Sequence, residues 1–381
     1  MNVELDSEAQ QLQDSLRRLF SAESTPAPKR ALAGDGPGWN AALWAKLQEF
    51  GLGLLLLPED MGGLAQRPVS LLPVMQEIGR ALSVEPLLAL LVGQRGLLAA
   101  SGAAERSPQL ARLLAGAPLI AWAHAEAAGR HAMSWIETTA RTEGAHWILD
   151  GAKTNVLHGA TAQALVVTAR TDAGEPGLFV VQPDGPGVQI DDRRLIDGTP
   201  VAQLRLHSAR AQRLDAADGS ALAAVEAAHQ LGMAAVCAEA VGVCELAMAQ
   251  TIEYVKLRKQ FDRTLGQKQA VRHRVAEMQV ALEMVRSAAL GALLALEEQD
   301  ADRRGAELER AKMLVGRHGV AITQHAVQLH GGVGMTVEFL VGHCLRRMTV
   351  IEHLFGDAHG HAASLARRLA STYQSSGRTP G

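Results

Sequence analysis

Two short clusters hold the side chains best suited to chemistry. The first, Tyr254 to Gln269, reads YVKLRKQFDRTLGQKQ, and the second, Gln328 to Glu338, reads QLHGGVGMTVE. In the first, Arg258 and Gln260 interrupt a helical pattern that begins near Ala221, and Phe261 follows where an apolar anchor can hold a short turn before the next helix. The planar fork of arginine presents paired donors that suit a phosphate. In the second, Gly331, Gly332 and Gly334 end a helix, because glycine takes the left-handed C-terminal conformation and lets a ligand or another backbone approach closely. Gln328, just before them, can donate to or accept from such a ligand. Each cluster also has an ordinary structural reading. Arg258 can pair with Glu253 or cap helix carbonyls, and the glycines can be a plain C-cap.

The elements that must position these clusters fall into three blocks. From about Leu5 to Ala117 the pattern is helical, with Leu12, Leu16 and Phe20 on one side and Trp44, Leu47 and Leu52 continuing it; Pro58 and Gly62-Gly63 punctuate the block. From about Leu119 to Leu214 the chain changes to short apolar runs such as Ala164 to Val167 and Gly177 to Val181. Turn signals Asp150-Gly151, Asp184-Gly185 and Asp197-Gly198 separate them, which predicts a small antiparallel sheet or barrel. From about Ser220 to Thr372 helices return. Val271, Val275, Met278, Leu282, Val285, Ala289, Leu293 and Leu296 mark one buried face of a long helix, which predicts a four-helix bundle. The fold class is therefore α+β, mainly α, with domains over residues 1–118, 119–218 and 219–381 and a disordered tail after Ser371.

Composition narrows the partners. The chain has 381 residues, enough for two or three domains and a large core. With 37 basic against 40 acidic side chains, a net charge of -3 gives no reason to expect nucleic acid or an anionic membrane, and a small-molecule ligand is the default. The start, MNVELDSEAQ, lacks the regions of a signal or transit peptide, which predicts a cytoplasmic protein. The unbroken apolar runs, such as Gly51 to Pro58, are far short of a membrane span. Cys237, Cys244 and Cys344 show no metal spacing and read as reduced core residues. His353, His359 and His361 fit no recognised zinc motif and read as a solvated helix start. Trp122, Trp135 and Trp147 read as core or interface aromatics rather than ligand-lining groups, and Arg346 and Arg347 as facing water or the phosphates of a coenzyme.

Helices, strands, then a helical bundle with both clusters at helix ends resemble the acyl-CoA dehydrogenase family over nearly the whole chain. Trp44, Gly51, Pro58 to Gly63 and Glu77-Ile78-Gly79 are similar to the family's entry helices and turn. Glu126, Thr138 to Ala140, Trp147, Gly151-Ala152-Lys153 and Ala169-Arg170 are similar to its sheet, and LRKQF and QLHGGVG carry the strongest match. The resemblance implies FAD as cofactor and α,β-desaturation of an acyl-CoA thioester, with a carboxylate base on the side of the substrate opposite the flavin and hydrogen-bond donors to the thioester oxygen. It also implies a tetramer with FAD at a subunit interface, and an electron-transfer flavoprotein as acceptor. One chain then supplies a glycine-rich acidic segment, a strand beside the flavin ring and the base. Its neighbour supplies the arginine and the glutamine with its glycines.

The neighbour's half of that pattern stands intact here as Arg258, Gln260 and Phe261 with Gln328, Gly331, Gly332 and Gly334. The other half departs from it. Ala125 to Arg130 replaces the glycine-rich loop, Lys153 to Gly159 offers Asn155 and Leu157 beside the flavin ring, and Gly356 stands at the base position within Leu354 to Ala358. The alternative base position on the first bundle helix is Gly232, and Glu239 lies about seven residues, or ~10 Å of helix rise, beyond it. Glu226 is the other nearby acid, and Asp357 is the better candidate base in this chain, with a helix N-cap as its ordinary reading. This pattern predicts a subunit that completes the FAD site of a related catalytic partner, with a self-sufficient homomeric enzyme and a non-enzymatic scaffold as the alternatives.

Overall fold

The computed structural model describes residues 7–22, 38–100, 113–114, 119–130, 132–144, 146–215 and 220–375. Among these, the helices are α1 (Ser7–Ser21), α2 (Ala41–Glu49), α3 (Leu71–Arg80), α4 (Leu87–Ala100), α5 (Ser220–Leu257), α6 (Gln269–Ala295), α7 (Ala301–His330), α8 (Leu340–His353) and α9 (Ala358–Ser375). The strands are β1 (Ile120–Ala123), β2 (Thr139–Glu143), β3 (His146–Leu157), β4 (Ala164–Thr171), β5 (Pro176–Val181), β6 (Val188–Arg194) and β7 (Pro200–Arg213), with a short pair β8 (Lys259–Gln260) and β9 (Arg263–Thr264). Two compact units emerge. One groups α1 and α3 with the chain from Met233 onward, and the other groups α2, α4 and strands β1 to β7 with the chain up to Gly232.

In the helical unit, side-chain caps and apolar faces set the elements. Asp300 starts α7 by accepting from the Asp302 and Arg303 N–H groups at 2.9 and 3.1 Å. The α6 stripe lies as its spacing predicts, with Met278, Leu282, Val285, Ala289 and Leu293 buried and Val271, Val275 and Leu296 half-buried nearer the ends. Cys237, Cys244 and Cys344 are buried free thiols, and burial pushes the first two up to about 12. Two expectations need correction. Although unbroken apolar runs are short, α5 and α6 are long and apolar enough to cross a membrane by length and composition; 89% of the apolar window of α5 is buried within the protein, as in a core helix. Helix α9 continues through Ser375, past the expected start of a tail at Ser371; residues 376–381 lie outside the described residues.

In the sheet unit, β2, β3, β7, β5 and β4 pair in a closed circuit, with β1 added to β4 and β6 to β7. This is the small barrel the alternating runs predict, but β1 and β2 both pair with β4 in parallel. The parallel pairings join strands that a tight turn cannot link, and strand-length signals alone do not reveal them. Leu97 and Ala100 of α4, Ile120, Val166, Leu178, Ala221 and Ala224 form the buried apolar cluster. Trp147 packs against Phe179 with ring centroids 5.3 Å apart. Trp135, before β2, is 43% exposed and so is not a core residue of the single chain.

Candidate functional site

Helix α5 hands its end directly to a hairpin. The Arg258 N–H still donates to the Tyr254 carbonyl at 2.8 Å, and the Leu265 N–H then returns to the Arg258 carbonyl at 2.9 Å. Between them Lys259 faces Thr264 and Gln260 faces Arg263. The two tip residues, Phe261 and Asp262, have φ of 55° and 61°, the mirror-image turn that matches strand twist but strains a residue bearing a side chain. Phe261 is 87% exposed, and its ring lies 4.9 Å from the Lys268 ammonium. Arg258 and Gln260 are exposed as well. Glu253 pairs with Lys256 at 3.1 Å, not with Arg258, and among the described residues the Arg258 guanidinium makes no ion pair.

The second cluster ends α7. Gly331 caps α7 where its spacing predicts, its N–H donating to the Val327 and Gln328 carbonyls, but with φ 67° and ψ -150° it takes an extended positive-φ conformation open to glycine rather than the expected left-handed helical one. A Cβ built on Gly331 or Gly332 would meet nothing within 4 Å, whereas one on Gly334 would press on His330 and Val327. Gly331 and Gly332 therefore expose bare backbone, and Gly334 serves packing. Gln328 is exposed one turn earlier. The two clusters meet through Tyr254 and His330, whose rings stack with centroids 4.3 Å apart. An exposed guanidinium, a primary amide and open backbone form a donor set that fits the phosphate-bearing part of FAD.

The connector between α8 and α9 is built differently. Asp357 is the N-cap of α9: its Oδ1 accepts from the Gly360 N–H at 2.7 Å. Gly356 has φ 98°, and a Cβ there would lie 2.6 Å from His361 Nε2. The connector's carbonyls are satisfied from within, because the fully buried Lys312 donates to Glu352 O and Gly356 O, each at 2.8 Å, and His361 Nε2 donates to Phe355 O at 3.0 Å. Burial holds the Lys312 ammonium below its usual range despite the nearby Cys237, Glu352 and Asp357. His361 is buried rather than part of a solvated helix start. Glu239 is fully buried and clasped by Arg347 at 2.5 and 2.8 Å, so Arg347 faces neither water nor a coenzyme.

In the sheet unit, the two segments that depart from the expected pattern, Ala125 to Arg130 and Lys153 to Gly159, lie together. Thr154 N–H donates to Ala125 O at 2.8 Å, and a bulge between Lys153 and Val156 puts Asn155 at φ 52°. Behind them is a buried network that sequence reasoning quoted residue by residue but did not pair. Glu126 accepts from Lys153 Nζ and Thr138 Oγ1 at 2.7 Å and from the Glu137 and Thr138 N–H groups at 2.6 and 3.0 Å. Lys153 also donates to His124 O and Thr168 Oγ1. Burial lowers Lys153 to about 8, with Glu126 opposing, and burial together with the Lys153 charge lowers His124 to about 4. Burial alone would raise Glu126, but the Lys153 hydrogen bond and charge and the Thr138 donors keep it below its usual range. A charged residue on an inward-facing strand position, as Lys153 is, was the available signal for a buried partner.

Comparison with known proteins places these features in one family. Family models match the acyl-CoA dehydrogenase N-terminal domain over residues 6–129, the middle domain over 121–213 and the C-terminal domain over 222–370. The chain is 28% identical over 377 residues to the probable acyl-CoA dehydrogenase FadE25 of Mycobacterium tuberculosis, covering 96% of each. Its structure is similar to that of the Tcur3481-Tcur3483 steroid ACAD G363A variant, with a TM-score of 0.85 and 27% identity, covering 97% of this chain and 100% of that one. It is also similar to the ChsE4-ChsE5 complex of Mycobacterium tuberculosis, with a TM-score of 0.82 and 25% identity over 100% of both chains.

Proposed function

Because the chain belongs to the acyl-CoA dehydrogenase family, we propose that it is the subunit that completes the FAD site of a related, catalytically competent chain in a heteromeric acyl-CoA dehydrogenase. The complex desaturates an acyl-CoA thioester between its α and β carbons. The observation that carries this reading is the contrast between two regions of the helical unit. Arg258, Gln328 and the Gly331-Gly332 backbone are exposed and uncommitted to internal packing, whereas the α8–α9 connector turns its own carboxylate, Asp357, to capping and leaves no side-chain space at Gly356. Two-chain neighbours, the ChsE4-ChsE5 complex and the Tcur3481-Tcur3483 steroid ACAD, support a heteromer, and the second favours a bulky acyl group over a short linear one. The assembly is a cytoplasmic tetramer that passes electrons to an electron-transfer flavoprotein.

FAD, when bound, supplies the acceptor for the hydride that leaves the β carbon. In this chain Arg258 would hold its phosphates, Gln328 would donate or accept through a single amide, and Gly331 and Gly332 would let it approach the backbone without a side chain intervening. Gln260 and Phe261 extend the same surface along the hairpin. The partner provides the carboxylate that takes the α proton and the donors that stabilise charge developing on the thioester oxygen. Asp357 keeps its capping bond throughout, and Glu239 stays paired with Arg347.

The visible absorption spectrum tests this reading. The chain is purified alone and after co-expression with the nearest encoded family member, before and after addition of acyl-CoA. Flavin bands and their bleaching only in the co-purified complex, lost on Arg258→Gln, are the expected result. A yellow chain that bleaches with acyl-CoA on its own overturns the reading, and a colourless complex points to a scaffold.

A further inference from the structure

Tyr254 lies one helical turn before Arg258, and His330 immediately precedes Gly331. Their rings stack 4.3 Å apart with planes inclined by 22°. The Tyr254 hydroxyl donates to the His330 carbonyl at 3.2 Å, and His330 Nδ1–H donates to the Ala326 carbonyl at 2.7 Å, the protonated nitrogen following from the acceptor. Phe339, the residue before α8, sets its ring edgewise to both, 6.2 Å from Tyr254 and 5.9 Å from His330. His330 is buried and Tyr254 half-buried, so the rings meet in the interior, while Arg258 one turn after Tyr254 and Gly331 next to His330 are exposed. The hairpin after Arg258 is only two residues long per strand, and the exposed backbone of Gly331 and Gly332 has no side chain with which to lock itself. The position of each ligand-facing end is thus set by the last turn of its helix, where the ring pair sits.

We propose that Tyr254 and His330 are positioning residues for the FAD site: the stacked pair joins the end of α5 to the end of α7 and fixes the separation between the Arg258 guanidinium and the Gln328 amide with its open glycine backbone. This rests on the function proposed above, in which those groups hold FAD. A pair that only filled core would affect folding and leave cofactor affinity alone. A pair that sets the spacing of two ligand groups affects affinity with the fold intact, since a guanidinium displaced from its anion loses most of a charge-assisted hydrogen bond.

The test uses the complex with the co-expressed family member, stripped of flavin and titrated with FAD, with affinity read from flavin fluorescence and assembly from light scattering. Tyr254→Phe keeps the stack, Tyr254→Leu removes it from α5, and His330→Asn removes it from α7 while retaining a donor for Ala326. The Leu and Asn variants are expected to weaken FAD binding by on the order of tenfold or more with assembly mass unchanged, and the Phe variant to stay within about threefold of the parent. Wild-type affinity in either ring-removed variant that assembles overturns the proposal. Failure of both to assemble also overturns it, since the pair is then holding the fold. A parent complex that takes up no FAD instead overturns the proposed function, which keeps the two failures apart.

Discussion

His124 and Asp357 show how a single side chain's surroundings decide what it does. Burial and the Lys153 charge hold His124 near 4, while the unfolded chain titrates it near its ordinary 6.5. The folded-state value is depressed, so the stability is present above about pH 6.5 and lost as pH falls, because the unfolded chain takes up a proton that the folded one refuses. Between pH 7 and about pH 4 this one group is expected to remove on the order of 3 kcal/mol. Urea denaturation of the parent and of His124→Asn across that range checks it: the parent should lose more stability than the variant, and parallel curves would exclude the assignment. Asp357 makes a different kind of prediction, because capping needs only an oxygen acceptor. Asp357→Asn keeps that acceptor and should match the parent in melting temperature and in complex activity, whereas Asp357→Ala should cost about 1 kcal/mol of stability with activity retained. Activity lost in Asp357→Asn while the melting temperature holds would identify a base.

At the scale of elements, the α8–α9 connector is held by a lysine from a third helix. Lys312 in α7 has no exposure and gives its ammonium to Glu352 O in the last turn of α8 and to Gly356 O in the connector. Lys312→Met fills a similar volume but leaves both acceptors without their donor. The expected loss is about 2 kcal/mol, measurable by thermal denaturation at neutral pH, and a variant as stable as the parent would show that water replaces the ammonium. Elements like these were unequally legible in the sequence. The α6 face was plain, because Met278, Leu282, Val285, Ala289 and Leu293 repeat at the helical period and period alone decides which side is buried. The ends of α5 and α7 were also readable, since Arg258 and Gly331 break helical patterns locally. Non-local choices were not. That β1 and β2 run parallel to β4, that Glu126 closes on Lys153, and that Arg347 folds onto Glu239 each depends on chain distant in sequence. Gly356 was visible as a missing carboxylate, but only the backbone shows that His361 fills the side where one would project.

For the whole molecule, the proposed division of labour predicts an outcome that no single-chain measurement reaches. In a self-sufficient homomer whose cofactor site lies between copies, each site draws one half from each of two copies. A copy defective in Arg258 and another defective in its own base would then complement one another, because a mixed assembly contains some sites with both halves sound. In the heteromer proposed here, every copy of this chain supplies the same half, so no mixture of its variants can build a complete site. Co-expressing Arg258→Gln with Asp357→Asn in the absence of any partner should therefore yield no flavin bleaching by acyl-CoA at any ratio. Adding the partner should restore it only in proportion to the Asp357→Asn copies, which retain Arg258, Gln328 and the open backbone of Gly331 and Gly332. Activity in the partner-free mixture would mean that Asp357 completes a site within this chain, and that its capping bond is released during the reaction.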